Sequence, residues 1–217
     1  MNCDDYRNTK YCPKLEHIES KKEILKSEIS SKHPRVQNFY YVINKNSDCF
    51  KRLFAEIYNY KCAYCGVSLD ILTGLSDFEI DHFKCESSFD SKTDAGILSN
   101  LVLACHSCNQ NKHEYVIDDN YLKLLNPDLN NIAEVFARDE RYNIVISFKY
   151  KDDKTINEFY RKLKLDSEIC RLDFLLMNIN GLISKLDGCH FLLNSALLEL
   201  YKVKDKFFNL KKSKGTR

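Results

Sequence analysis

Apolar positions recur at helical spacing toward both ends of the chain and alternate at strand spacing near its middle. Residues 15–30 read as a polar helix with Ile18, Ile24, Leu25 and Ile29 on one side. His33-Pro34 breaks it, because the residue before proline avoids helical backbone. Pro34 is then placed to start a second helix carrying Phe39, Val42, Ile43, Phe50, Leu53, Phe54, Ile57 and Tyr58, with room for an interruption over 44–48. Residues 61–66, KCAYCG, read as a tight turn. Over 77–83, Phe78, Ile80 and His82 alternate with Glu79 and Asp81, which predicts a strand. Residues 101–104 form a second short apolar strand, and 107–114 a helix. LLNPD at 124–128 signals a turn. A strand follows over 142–150, with Ile144, Ile146 and Phe148 on one face, then a short helix over 155–163. Residues 166–186 predict a longer helix striped by Leu172, Leu175, Leu176, Ile179, Ile183 and Leu186. Asp187-Gly188 ends it, and a last helix runs from about 190 to 210, before the basic tail KKSKGTR. Residues 1–14 read as an irregular lead-in. The class is α+β, mainly helical, in three parts: a helical segment 1–60, a strand–strand–helix unit 61–114, and a mostly helical region with a short strand, 115–217.

Composition narrows the function classes. Hydrophobic residues at 44% supply a core, which argues against a disordered chain. No stretch approaches the roughly 18 apolar residues of a membrane span, and the polar start MNCDDYRNTK is no secretory signal, so a cytoplasmic location without membrane contact is expected. Net charge is only +2, from 33 Lys+Arg against 31 Asp+Glu, so any nucleic-acid-binding patch is local. Ten cysteines without a secretory signal point to metal or catalysis and away from disulfides. Cys3, Cys12, Cys49, Cys85, Cys170 and Cys189 are scattered, whereas Cys62 with Cys65 and Cys105 with Cys108 form two C-x-x-C pairs 39 residues apart. Two such pairs can close a tetrahedral Zn²⁺ site with Zn–S distances of about 2.3 Å. Four protein ligands leave no open position, so this zinc would be structural.

The cysteines enclose FEIDHF at 78–83 and NLVLACHSCNQNK at 100–112. His82 titrates near neutrality and suits a general base, and the Asp81 carboxylate suits a hard cation such as Mg²⁺. With C-x-x-C, D-H, N-L, C-x-x-C and N-x-x-K in order, residues 61–113 resemble an HNH endonuclease with a ββα-metal core. The resemblance implies that Asp81 is a ligand of a catalytic Mg²⁺ or Mn²⁺, that His82 activates water, and that Asn100 fixes the orientation of His82. Many members carry His after the second C-x-x-C; this chain has Asn109, as in the HNN form, whose amide oxygen would bind the metal. His113, four residues on and on the same helical face, is the other candidate. Lys112 reads either as a phosphate contact or as a solvated helix lysine. Glu79 shares a strand face with Asp81 and is either a carboxylate behind the ligands or a plain polar face. His106 has either a surface role or one facing substrate; Tyr64 packs on the zinc loop or stacks on a base; His17, His33 and His190 are structural or surface residues. Thiolates for a soft ion and oxygens for a hard one imply two different metals.

The region after this unit, YLKLLNPDLNNIAEVFARDERYNIVISF at 121–148 and KLKL at 162–165, is similar to the HNH component of Septu, which works beside an ABC-type ATPase and also occurs with some retrons. That resemblance implies an anti-phage effector held by an ATPase partner, with the stripe 172–186 either a docking helix or plain core. The substrate would be DNA or RNA, tRNA included. A zinc-stabilised nucleic-acid-binding module that does not cut is the competing reading; a redox protein would need a thioredoxin-like βαβ context that the flanks lack.

Overall fold

The computed structural model describes residues 5–45, 49–186 and 194–214. Cys3, Cys189, His190, most of the suggested interruption (46–48) and the Asp187-Gly188 stop lie outside them. Three helices come first: α1 (Ile18–Lys32), α2 (Phe39–Asn44) and α3 (Phe50–Ile57). Pro34 lies in a turn and starts no helix. α2 begins instead at Phe39, where the Asn38 side chain accepts from the Tyr41 N–H at 3.3 Å, a cap that Pro34 has no side-chain acceptor to supply.

β1 (Phe78–His82) and β2 (Leu101–Cys105) pair antiparallel, with Phe78 opposite Cys105 and His82 opposite Leu101. Between them runs a loop containing the short helix α4 (Lys92–Ala95), and α5 (His106–Lys112) follows β2 directly. After α6 (Leu122–Leu125) and α7 (Ile132–Val135) comes a second antiparallel pair, β3 (Phe136–Arg138) and β4 (Ile144–Ile146). The strand expected over 142–150 is therefore short. The Ser147 N–H reaches back to the Val135 carbonyl at 2.8 Å, the chain turns over Phe148–Tyr150, and Phe148 is left 83% exposed. β3 passed unread because three residues carry too little alternation to register. Helices α8 (Lys154–Lys162), α9 (Glu168–Leu186) and α10 (Asn194–Ser213) complete the described chain.

One hydrophobic core runs across residues 60 and 114: Ile29, Phe54 and Tyr58 join Phe78 and Leu103 of the hairpin and Phe136, Phe159 and Leu176 beyond it. Of the α9 stripe, Leu172, Leu176 and Ile183 are buried, Leu176 within this core, while Leu175, Ile179 and Leu186 are half-buried. α10 packs on α9, anchored by Lys211 Nζ 2.7 Å from the buried Asp173.

A buried polar tie fixes the hairpin to both flanks. The Lys22 ammonium pairs with Asp128 and donates to the Leu101 carbonyl at 2.5 Å, and the Tyr58 hydroxyl donates to Asp128 Oδ1 at 2.7 Å. Both charged side chains are nearly sealed from water, at 4% and 3% exposure. Asp128→Ala leaves a buried ammonium without its counter-charge. Its expected cost is about 3–5 kcal/mol of folding stability, read from the shift of the urea unfolding midpoint; a shift below about 1 kcal/mol would show that the pair is dispensable.

Candidate active site and metal centres

The zinc candidate is built by two backbone turns. In the first, the Cys62 N–H donates to the Val67 carbonyl at 2.8 Å and the Gly66 N–H to the Cys62 carbonyl at 2.9 Å. Gly66 has φ +79°, and a Cβ there would sit 2.6 Å from the Arg7 carbonyl oxygen, so only glycine fits. The Ala63 N–H bonds the Leu103 carbonyl at 2.7 Å, which lays this turn on β2. In the second, Cys105 closes β2 and Cys108 lies in the first turn of α5. All four sulfurs are buried and lie within 4.8 Å of one another. Burial works against ionisation of Cys65, yet hydrogen bonding with the neighbouring cysteines leaves its thiol well below the ordinary range, while Cys105 and Cys108 are held well above it by their cysteine neighbours and by burial. The soft, tetrahedral donor set fits Zn²⁺.

The lead-in braces this unit. The Tyr6 hydroxyl donates to the Tyr64 carbonyl at 2.5 Å. Arg7, paired with Asp5, donates to the carbonyls of Ala63 at 2.7 Å and Pro127 at 2.6 Å. Sequence reading missed this brace, because Tyr6 and Arg7 sit in an irregular turn that carries no periodicity.

β1 divides the chemistry between its faces. On the face toward α5, Asp81 is buried and its Oδ2 accepts from the Tyr64 hydroxyl at 2.5 Å. The Lys112 ammonium lies 3.1 Å from Asp81 Oδ1 and 3.0 Å from Oδ2, and donates to the His82 carbonyl at 2.8 Å. Burial pushes the Asp81 carboxyl above its ordinary value, with Lys112 and Tyr64 pulling it back. Lys112 is therefore neither solvated nor turned to a phosphate: its chain is sealed inside, because α5 packs against β1. Tyr64, fully buried, packs on the zinc loop and cannot stack on a base.

Further along the same face, Glu79 accepts from the Asn109 amide, from Gln110 at 3.4 Å, and pairs with His106 Nδ1 at 2.7 Å. These bonds hold the Glu79 carboxyl below its ordinary value against its partial burial. Asn109 uses its nitrogen toward Glu79, which leaves its oxygen without a protein partner among the described residues. His113 does not share that face. Its φ of +47° ends the helix and turns the exposed ring toward a cavity of about 540 Å³ lined also by Tyr115, Glu158 and Lys162. For a hard cation the donors are right in kind, a carboxylate and an amide oxygen. Lys112 already neutralises the carboxylate, however, so a cation reaching Asp81 must displace it.

His82 ends β1 with its ring on the opposite face, half-buried, and burial pushes its pKa below the ordinary value. Asn100 does not touch that ring. Its oxygen accepts from the Lys84 N–H at 2.9 Å, and its nitrogen donates to the carbonyls of Lys84 at 3.0 Å and Ala95 at 2.9 Å. It closes the loop after His82, so any effect on the imidazole passes through the backbone. The ring instead meets Tyr40 of α2, centroid to centroid at 4.6 Å, a contact from 42 residues upstream that no local spacing announces. His17 precedes α1 with φ +57° and His33 meets the Phe50 ring edge-on, both away from this centre.

Comparison with known proteins gives two findings. Residues 62–114 match the family model described as HNH endonuclease. The chain is also 26% identical over 103 residues to the "SPbeta prophage-derived putative HNH endonuclease YoqL" of Bacillus subtilis (strain 168), a stretch covering 44% of this chain and 42% of that relative. The match thus spans less than half the length of either protein. No solved structure matches the chain. An HNH endonuclease domain at 62–114, with such a relative, supports a nuclease enzyme. Among the described residues no helix is long and apolar enough to cross a membrane.

Proposed function

We propose that the chain is a metal-dependent endonuclease hydrolysing phosphodiester bonds in nucleic acid, with His82 as general base. The observation that carries this reading is a coincidence in place. The HNH match over 62–114 falls on a hairpin closed by four buried thiols, with Asp81 and His82 adjacent at one strand end. A half-buried imidazole held below its ordinary pKa is neutral near pH 7, so it can accept the proton of an attacking water. Asp81 and Asn109 would hold Mg²⁺ or Mn²⁺, which when bound supplies Lewis-acid stabilisation of the phosphate. The four cysteines would hold Zn²⁺ and keep the hairpin folded. Asn100 supports the loop behind His82.

The likeness of residues 121–148 and 162–165 to the HNH component of Septu supports a wider role within the same proposal: an effector of anti-phage defence acting with an ABC-type ATPase. A net charge of +2 agrees with it, since unaided nucleic-acid binding draws on a broad basic surface. One observation favours a non-cleaving binding module instead, namely the Lys112 ammonium seated on Asp81.

Metal titration of cleavage separates these readings. Asn109→Ala is expected to raise the Mg²⁺ needed for half-maximal cutting at least about tenfold, with His113→Ala unchanged. The reverse pattern would move the ligand to His113. Nucleic acid bound but uncut at every Mg²⁺ or Mn²⁺ concentration would favour the binding module.

A further inference from the structure

A histidine base is ordinarily held in its working rotamer by a hydrogen bond from its second ring nitrogen to a carboxylate or carbonyl. His82 lacks that bond: among the described residues neither of its nitrogens bonds to a protein group. What touches the ring is Tyr40, at 4.6 Å between centroids and tilted by 33°, inside the range of favourable aromatic pairs.

Tyr40 is itself firmly placed. α2 is docked on the loop that joins β1 to β2: the Phe39 N–H donates to the Gly96 carbonyl at 2.9 Å and the Asn38 amide to the Lys92 carbonyl at 2.6 Å. A Cβ at Gly96 would meet the Asn38 side-chain amide, so a larger residue there would push that amide away from the Lys92 carbonyl. Asn100 holds Ala95 and Lys84 of the same loop from the other side. The loop therefore carries the imidazole at its start and receives the helix that walls it in.

We propose that Tyr40 is the positioning residue for His82, a ring delivered by the N-terminal helical segment that restricts the imidazole to one orientation in place of a hydrogen-bonded partner. The kinetic part of this inference rests on the nuclease reading; the contact itself does not. The part of the chain outside the matched 62–114 thereby completes the site, and a 62–114 fragment would present His82 unsupported.

The test uses the full chain as wild type, Tyr40→Leu, Tyr40→Phe and His82→Ala, each checked for zinc content and thermal unfolding. Single-turnover cleavage with Mg²⁺ is expected to fall about 10–100-fold in Tyr40→Leu, at an unchanged half-saturating nucleic-acid concentration. Tyr40→Phe, which keeps the ring, is expected to restore it. In carbon–proton NMR spectra the His82 ring protons, assigned by their loss in His82→Ala, are expected to move downfield in Tyr40→Leu and to stay in Tyr40→Phe, because the ring current goes with the ring. Wild-type rates from Tyr40→Leu beside an inactive His82→Ala would overturn the proposal, as would unmoved His82 resonances. If His82→Ala cuts as well as wild type, the nuclease role of His82 is what fails, and the resonances alone decide the contact.

Discussion

Cys105→Ser is expected to lose zinc and the cooperative fold of the hairpin together. Cys105 is 1% exposed, ends β2 opposite Phe78, and shares its cluster with Cys62, Cys65 and Cys108. Structural zinc in small domains contributes about 10–16 kcal/mol of apparent folding free energy, against a net stability of about 5–15 kcal/mol for a whole domain. A loss of that whole contribution is as large as the stability it would have to overcome. The damage should spread, because the Ala63 and Tyr64 carbonyls in the turn at 62–67, the first knuckle, anchor Arg7 and Tyr6, and the Tyr64 hydroxyl anchors Asp81. Zinc analysis and thermal circular dichroism on Cys105→Ser and Cys62→Ser check this. Full zinc with an unchanged melting curve would remove the four-thiol site.

His82→Ala has the opposite signature, with activity lost and the fold kept. A positioned general base contributes about 10²–10⁴-fold to rate, so cutting should fall by that range. The imidazole is half-buried and makes no hydrogen bond to the protein among the described residues, so little holds the fold through it. Zinc content and unfolding midpoint should match wild type. A variant that loses zinc as well as activity would point to a structural histidine.

The chain's own letters make the site partly legible. The two C-x-x-C pairs, the alternation from Phe78 to His82 and the short apolar run before the second pair place a hairpin and a helix where they are found, because ligand spacing and strand period are local properties. The pairing of Lys112 with Asp81 is not local. It depends on α5 lying across β1, and the sequence offers only a lysine on a helix. Asn100 shows the same limit: its position is plain, but its target, the Lys84 and Ala95 backbone, depends on how the loop folds. Tyr40 and Arg7 were silent for a stronger reason. Each acts through a docking surface made by segments distant in the chain, Tyr40 on the loop at 84–100 and Arg7 between the first knuckle and Pro127. The stripe on α9 carried two readings with one pattern, and burial assigns Leu172, Leu176 and Ile183 to the interior while Leu175, Ile179 and Leu186 stay half-buried.

The measurement that bears most directly on the central claim is cleavage of plasmid DNA and of total tRNA, side by side, by the purified chain with Mg²⁺ or Mn²⁺, against His82→Ala from the same preparation. The account predicts cutting of one substrate class by the wild type and its loss in the variant. Equal cutting by both proteins, or none by zinc-loaded wild type even with the proposed ATPase partner present, would contradict it.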